Sequence, residues 1–525
     1  MSTAPASPPH RHAAARLLDF MDPAAPWYRS LWCPGTALTL RETLEASEAV
    51  GVGVLSQSAF AFLKDNARRM LGPDPGAGID SQKRCLQECL KSELVYEGLE
   101  YRTMRQLLPD IESSYLERWA LCLTQPMTFP GPERTARCIA SHLLDTGLSF
   151  DFLYRWWTFH LRRKGVEHLP KLISASHGIS QGSPSDYKVL TVFDAAPQGK
   201  SGMPASWINA PSVTAWLKGN GFEVRGLRQN GGIWFTVQAR DPWAAVEAAT
   251  EKLDRMVARV AVGTDSSLIP LPWAWIEGQK RRFSLRPARR RVEVRALYRQ
   301  DQLYTETMSS NVDAAIELLA PLAATSPSAA VAGGWAAMEA LLTAPGDKER
   351  VLAGDRMASL VACSYARAEL THLSYRVQEE MRGDLASRLA SCNSNRDRAS
   401  LLAHVIQSNE PITLSAASDS AALARIRALL AAPRSTLKDI QGHVAAAFRR
   451  LYRHRNIVLH GGRVDAVALR ASLRTAAPLV GAGMDRIAHA WFVKQTPPLE
   501  LAARARIRLE TLESRDAAAC VDLLE

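Results

Sequence analysis

Residues 310–512 carry apolar side chains at spacings of three and four, the pattern that places them along one face of a helix. Ala, Leu and Arg dominate this stretch, and no repeat of about 20 to 50 residues divides it. A helical region without the repeats of a solenoid is therefore indicated. The pattern predicts helices at 311–323, 328–343, 349–380, 383–392, 396–408, 418–431, 435–459, 465–491 and 499–512.

The N-terminal third of the chain has a similar pattern. Residues 37–180 predict a second helical region, to which the sequence assigns no role. Residues 1–36 begin with a stretch rich in Pro, Ser and Ala, which predicts a flexible tail. The fold class predicted for the whole chain is mainly α, with a smaller α+β module between the two helical regions.

That module, residues 186–300, changes to the alternating pattern of strands. The Asn230-Gly231 pair predicts a hairpin turn, and Asp241-Pro242 predicts the start of a helix. The order β-α-β-β-α is typical of a split βαβ, ferredoxin-like module, which selects no function. The predicted elements are strand 187–193, helix 210–218, strands 221–227 and 233–239, and a helix from 242 to about 260.

The composition is that of an ordinary globular protein, with 47% hydrophobic and 22% charged residues among 525. This excludes disordered, collagen-like and coiled-coil chains. A net charge of +11 permits contact with phosphate. The sequence contains no uninterrupted run of about 18 apolar residues, so no membrane span is predicted. The eight cysteines are scattered and form no CxxC motif, which favours a cytoplasmic protein without a metal site. No P-loop, HExxH or GxSxG motif is present, and no cofactor is expected.

The densest basic run lies at residues 279–299, where nine Lys or Arg accompany one acid. One interpretation is contact with a nucleic-acid backbone, supported by the interleaved aromatic residues. The other is a solvated linker and edge strand, whose charges block unwanted pairing. The candidate nucleic-acid contacts are Lys280, Arg281, Arg282, Arg286, Arg289, Arg290 and Arg291.

A second segment, residues 451–462, reads LYRHRNIVLHGG and contains an Arg-Asn-xxx-His arrangement at Arg455, Asn456 and His460. The spacing by itself carries little weight, because other Arg and His residues in the chain share it. The context adds more: an aliphatic run, a Gly-Gly pair, and an upstream segment 334–342 reading GWAAMEALL.

With these two segments the chain resembles the HEPN superfamily, and specifically its Apea-like branch, over roughly residues 310–495. The resemblance implies a helical bundle, and many members are metal-independent endoribonucleases that act as dimers. It further implies that Arg455 and His460 form the catalytic pair, with Asn456 as a supporting polar group. Glu339 of the upstream segment could orient Arg455, and Arg453 and His454 are expected to contact RNA phosphate or solvent.

The chemistry suits these residue types. A histidine can accept or donate a proton near neutral pH, and an arginine supplies a fixed charge for the phosphorus oxygens. Residues five apart on a regular helix differ by about 140° and about 7.5 Å, so Arg455 and His460 are not expected to converge. Either the helix is distorted near Gly461 or two protomers form one cleft, and a symmetric dimer is predicted. The alternative is structural: Arg455 bridges a carboxylate such as Glu339, and His460 is a helix-end residue.

The function expected from the resemblance is an endoribonuclease that cleaves cellular RNA, such as tRNA, as the effector of a bacterial antiphage or abortive-infection defence. Its N-terminal region would sense a phage-derived trigger or inhibit the enzyme. Two alternatives stay open: a non-catalytic nucleic-acid-binding or dimerisation protein, and a component of an RNA-guided nuclease.

Overall fold

A computed structural model describes residues 8–125, 129–197, 202–285, 290–306, 310–324, 326–512 and 518–525. Within these ranges the chain forms twenty-one α-helices and five strands. The protein is therefore mainly helical and contains one small antiparallel sheet, as the sequence predicts at this level. None of the described helices combines the length and the apolar character needed to cross a membrane.

Nine helices precede the sheet. They are α1 (Pro8–Met21), α2 (Thr36–Gly51), α3 (Gln57–Leu71), α4 (Asp80–Lys91), α5 (Leu99–Ser113), α6 (Tyr115–Thr124), α7 (Pro132–Asp145), α8 (Phe150–Lys164) and α9 (Leu169–Gln181).

Helix α1 lies in the stretch predicted as a flexible tail, residues 1–36. Its side chains Ala13, Leu17 and Met21 are buried, and the helix packs against α7. The prediction of a tail is therefore wrong from Pro8 onwards. The residues four apart form an apolar face, which the Pro- and Ala-rich composition concealed.

The middle of the chain contains the sheet. Its strands are ordered β2-β3-β1-β4-β5, and each is antiparallel to its neighbours. The elements are β1 (Ser185–Ala195), β2 (Trp207–Asn209), α10 (Ala210–Gly219), β3 (Gly231–Ala239), α11 (Pro242–Gly263), β4 (Ile269–Ile276), β5 (Arg282–Ser284) and α12 (Arg295–Arg299).

The sheet departs from the predicted module in two respects. The predicted strand 221–227 is wrong: these described residues form turns and loops, and the three-residue β2 precedes α10 instead. The Asn230-Gly231 pair therefore joins no two strands. Asn230 instead donates its amide to the carbonyl of Phe193 at 2.8 Å, because Gly231 already opens β3.

The two helices of this module lie on opposite faces of the sheet. Leu217 of α10 packs in the cluster of Leu190, whereas Leu253 of α11 packs in the cluster of Val189. A split βαβ module has its helices on one face. The side chains of β1, which point alternately to the two faces of the sheet, are thus buried on both faces. The ferredoxin-like arrangement predicted for this module is not observed.

Nine helices follow the module, and all nine helices predicted from the sequence are present. Helix α15 packs against α14, α17, α18, α19, α20 and α21. The bounds are α13 (Asn311–Ala324), α14 (Pro327–Leu342), α15 (Leu352–Glu380), α16 (Asp384–Ala390), α17 (Asn395–Gln407), α18 (Ala417–Ala431), α19 (Pro433–Leu459), α20 (Leu469–Lys494) and α21 (Pro498–Thr511).

The two helical regions share one hydrophobic core, which runs from Ala13 to Leu524. A buried ion-pair cluster crosses between them: Arg29 donates to Glu369 at 2.8 Å and to Asp419 at 3.0 Å. The sequence divides these regions into separate units, 37–180 and 310–525, and the structure joins them. Periodicity reports which residues are buried but not against which partner, so it could not reveal a shared core.

Candidate active site

Helix α19 carries the Arg-Asn-xxx-His arrangement at its C-terminal end. The helix stops at Leu459, and the amide of Gly461 donates to the carbonyl of Ile457 at 3.1 Å. Gly462 has a φ of +66°, in the left-handed region where glycine is favoured at helix ends. The Gly-Gly pair therefore turns the chain away and leaves His460 at the exposed end of the helix.

Arg455, Asn456 and His460 lie together within one chain. Arg455 Nη1 is 3.0 Å from His460 Nε2 and donates to Asn456 Oδ1 at 3.0 Å. A regular helix would keep Arg455 and His460 apart, and the first of the two predicted alternatives, a change in the helix near Gly461, accounts for their contact. The helix ends at Leu459, before His460.

The contact has one chemical requirement. A guanidinium has only donors, so the contact is a hydrogen bond where His460 Nε2 accepts. Asn456 is buried, Arg455 is half-buried and His460 is exposed. The arrangement therefore presents a fixed cation beside an imidazole at the surface, where a large substrate can reach them.

Glu339 does not orient Arg455. Its Oε1 is 3.4 Å from Arg350 Nε, in an ion pair at the end of α14. The two segments that carry the HEPN resemblance do meet, through the fully buried Trp335 and the ring of Tyr452, whose centroids are 4.7 Å apart. The upstream segment thus packs against α19 through its aromatic residue rather than through its carboxylate.

Arg453 and His454 are placed differently from the prediction. Both are buried, with 2% and 0% exposure, and do not face solvent or a phosphate backbone. Glu42 of α2 accepts from Arg450 Nε at 2.7 Å and from Arg453 Nη2 at 2.8 Å. His454 Nε2 lies 3.7 Å from the same carboxylate. On a helix, residues 450, 453 and 454 share one face, and this face is turned inwards.

The buried cluster shifts the pKa of its members. Burial alone would raise the pKa of Glu42, but the charges of Arg450 and Arg453 lower it to about 2. Burial lowers the pKa of His454 to about 4, because the nearby arginines offset Glu42. Glu42 is therefore a carboxylate and His454 a neutral imidazole at neutral pH.

Two further glutamates of α2 contact the loop that follows His460. Arg463 Nη1 lies 2.8 Å from Glu48 Oε2, and its Nη2 lies 3.4 Å from Glu45 Oε1. Burial raises the pKa of Glu45 to about 7, although the amide of Val467 donates to it. The sequence analysis missed Glu42, Glu45 and Glu48. Their spacing of three, which places three carboxylates on one side of the amphipathic helix α2, was the available signal.

The basic run divides into two groups. Lys280, Arg281 and Arg282 are exposed, and the guanidinium groups of the two arginines lie 4.0 Å from the rings of Trp243 and Trp273, respectively. These three residues remain available for a partner.

The second group of the basic run is structural. Arg290 donates to the carbonyl of Leu322 at 3.1 Å, and Arg291 donates to the carbonyl of Asp22 at 2.8 Å. They connect the linker to both helical regions. Two further candidates, Arg286 and Arg289, lie outside the described residues.

Among the described residues, no group of three or more His, Cys, Asp or Glu is arranged to hold a metal ion. In the comparisons with known proteins, no family model matches the chain, and neither does any curated protein or solved structure. The candidate site therefore rests on the geometry of Arg455, Asn456 and His460.

Proposed function

We propose that the protein is an endoribonuclease of the HEPN type, with its active site at the exposed end of α19. The observation that carries the proposal is the distance of 3.0 Å between Arg455 Nη1 and His460 Nε2. A neutral imidazole beside a fixed cation is the pair that cleavage through the ribose 2′-hydroxyl requires.

The reaction balances with these side chains. His460 Nε2 takes the proton of the 2′-hydroxyl, whose oxygen attacks the adjacent phosphorus. The bond from phosphorus to the 5′-oxygen breaks, and that oxygen receives a proton from the imidazolium. The products are a 2′,3′-cyclic phosphate and a 5′-hydroxyl. Arg455 stabilises the charge that builds up on the phosphorus oxygens.

Asn456 acts as a positioning residue. Its buried Oδ1 accepts from Arg455 Nη1, which restricts the guanidinium to the side of the helix where His460 lies. When a phosphate binds, Arg455 can exchange its contact with His460 Nε2 for one with a phosphate oxygen. This exchange frees the imidazole nitrogen for the 2′-hydroxyl.

A symmetric dimer belongs to the proposal for a reason of chemistry. One imidazole can act first as base and then as acid, but two imidazoles facing one phosphate can perform both transfers together. Mixing an Arg455→Ala protein with a His460→Ala protein distinguishes the two arrangements. Restored cleavage in the mixture supports a shared site, and an inactive mixture supports a site within one chain.

The proposed biological role is that of an effector in antiphage or abortive-infection defence, cleaving cellular RNA such as tRNA. A nuclease of this kind requires restraint until infection. The glutamates of α2 can supply this restraint, because Glu42 contacts the helix before His460 and Glu48 contacts the loop after it. The N-terminal region would thus sense a phage-derived trigger through the same helix.

The direct test is cleavage of total bacterial RNA by the full chain in the presence of EDTA, with the new ends mapped. Wild type is expected to cleave and to leave 2′,3′-cyclic phosphates, whereas Arg455→Ala and His460→Ala are not. Exposed residues of the same types, changed as His404→Ala and Arg506→Ala, are the matched controls. Extract from phage-infected cells is added in parallel, to supply a trigger.

The competing function is binding of nucleic acid without catalysis. The exposed Arg281 and Arg282, stacked on tryptophan rings, favour it. RNA binding that Arg281→Gln weakens, with no cleavage by wild type with or without infected extract, would replace the ribonuclease by this alternative.

A further inference from the structure

A large cavity of about 1200 Å³ lies where three parts of the chain meet. Its wall is formed by residues 23–28 near the N-terminus, by α11 and β5 of the sheet module, and by α15 and α20 of the C-terminal region. Arg455, Asn456 and His460 do not line it. The cavity is therefore a site separate from the proposed active site.

A slanting row of residues on α20 forms much of the wall. Arg470, Arg474, Arg486 and His489 belong to this row, which lines the cavity at successive intervals of three or four residues and is inclined to the helix axis. The row extends over about 28 Å, at about 1.5 Å per residue. Two of the arginines have carboxylate partners: Arg470 pairs with Glu251 at 2.7 Å, and Arg474 pairs with Asp145.

Arg486 differs from these two arginines because it forms no ion pair with a described carboxylate. Its Nε, like that of Arg474, is buried and has no hydrogen-bond partner among the described residues. Burial lowers the pKa of Arg486, and the nearby charge of Arg367 lowers it further. A half-buried cation whose Nε lacks a hydrogen bond is costly, so its position here requires an explanation.

The acids around Arg486 are already engaged. Asp485 accepts from Arg299 at 3.0 Å, and Glu525 accepts from both Arg367 and Lys494 at 2.7 Å. Arg299, Arg367 and Arg486 line this part of the cavity together with Asp485, whereas Lys494 and Glu525 lie beside it, so positive charge exceeds negative charge here. The excess of positive charge matches an anion that enters the cavity.

Another part of the cavity wall presents stacked planar groups. The guanidinium of Arg281 lies 4.0 Å from the ring of Trp243 and 4.7 Å from that of Phe283. All three side chains line the cavity. The outer face of such a stack can receive a planar ring.

We propose that this cavity binds a nucleoside polyphosphate, with its phosphates on Arg486 and its base toward Arg281 and Trp243. The guanidinium fork matches phosphate oxygens, and at least two phosphates balance the excess charge. The volume is slightly above the range of about 300–1000 Å³ that is typical of small-ligand sites. A half-buried Arg486 in the wall of a cavity favours a small ligand with terminal phosphates over the continuous backbone of a polymer.

The test is calorimetric titration of the full chain with ATP, pyrophosphate, inorganic phosphate and a 2′-O-methyl oligonucleotide, each up to about 1 mM. Wild type is expected to bind ATP, and pyrophosphate more weakly. Arg486→Met should weaken ATP binding by at least about tenfold, because it removes charge-assisted hydrogen bonds. Arg281→Gln should weaken ATP binding but leave pyrophosphate binding unchanged.

Arg506→Gln, an exposed change on α21, is the matched control and should bind ATP like wild type. Arg486→Met should unfold at a temperature no lower than wild type, because methionine removes a half-buried charge that has no ion pair. Absence of ATP binding by wild type, equal binding by Arg486→Met, or binding of the oligonucleotide alone would each overturn the proposal. The titration involves no RNA cleavage, so its result is independent of the proposed function.

Discussion

Glu42 Oε2 accepts a hydrogen bond from Arg450 Nε at 2.7 Å, although 408 residues separate them in the chain. The same carboxylate accepts from Arg453, so one side chain of α2 neutralises much of the inward face of α19. The exposed face of that helix carries Arg455 at its end. The N-terminal region is therefore part of the support of the proposed active site, and a truncation that removes α2 would also expose the shared core.

Glu42→Gln should strongly destabilise the protein. It leaves Arg450 and Arg453 buried without a counter-charge, which typically costs about 3 kcal/mol or more. The measurement is the free energy of unfolding in urea. The matched control is Glu88→Gln, because Glu88 pairs with Lys91 in an exposed ion pair and should cost less than about 1 kcal/mol. Equal losses in the two variants would contradict the role of Glu42.

Stability should depend on the protonation of His454. Its pKa is lowered to about 4 by burial, whereas a histidine in the unfolded chain titrates near 6.5. Between these values the unfolded state binds a proton that the folded state does not, so stability falls as the pH drops from about 6.5 to about 4. Because the slope from one group is at most about 1.4 kcal/mol per pH unit, His454→Gln should reduce the slope by up to this amount. Unchanged slopes in the two proteins would show that His454 is not buried in neutral form.

Arg455→Ala and His460→Ala should each reduce RNA cleavage by about a hundredfold or more, mainly in kcat, because both side chains act on the transition state. Arg455→Lys keeps the charge but loses the forked donors, so an intermediate rate is expected. The measurement is single-turnover cleavage of a labelled RNA, with unfolding temperatures recorded for each variant. A variant that raises KM while keeping kcat would indicate a role in RNA binding instead.

Replacing two glycines by alanine, one within α19 and one just after its end, should change the stability of the protein in opposite directions. Gly462 has a φ of +66°, where a side chain costs about 1 kcal/mol, so Gly462→Ala should be destabilising. Gly442 lies exposed within the helix with open space around it, so Gly442→Ala should stabilise by about 0.5–1 kcal/mol. Thermal unfolding measures both changes, and shifts of the same sign would contradict the assigned helix end.

The sequence predicted the helices of the C-terminal region well, because their apolar periodicity and their proline and glycine boundaries are local properties. It also identified Arg455, Asn456 and His460 as one candidate site, and the structure places the three in contact. The end of the helix at Gly461 and Gly462 was the local cause. The sequence left two alternatives for bringing the pair together, a helix distorted near Gly461 or two protomers, and the contact within one chain corresponds to the first.

Only the tertiary structure decided which charges are paired. Arg453 and His454 carry the same local signals as Arg455, yet they face inwards because Glu42, some four hundred residues earlier, lies opposite them. Glu339 has the right chemistry for Arg455 but pairs with Arg350. Secondary structure follows from neighbours within a few residues, whereas burial and ion pairing depend on contacts between distant segments. For that reason the shared core, the acidic face of α2 and the unpaired Arg486 could be found only in the folded chain.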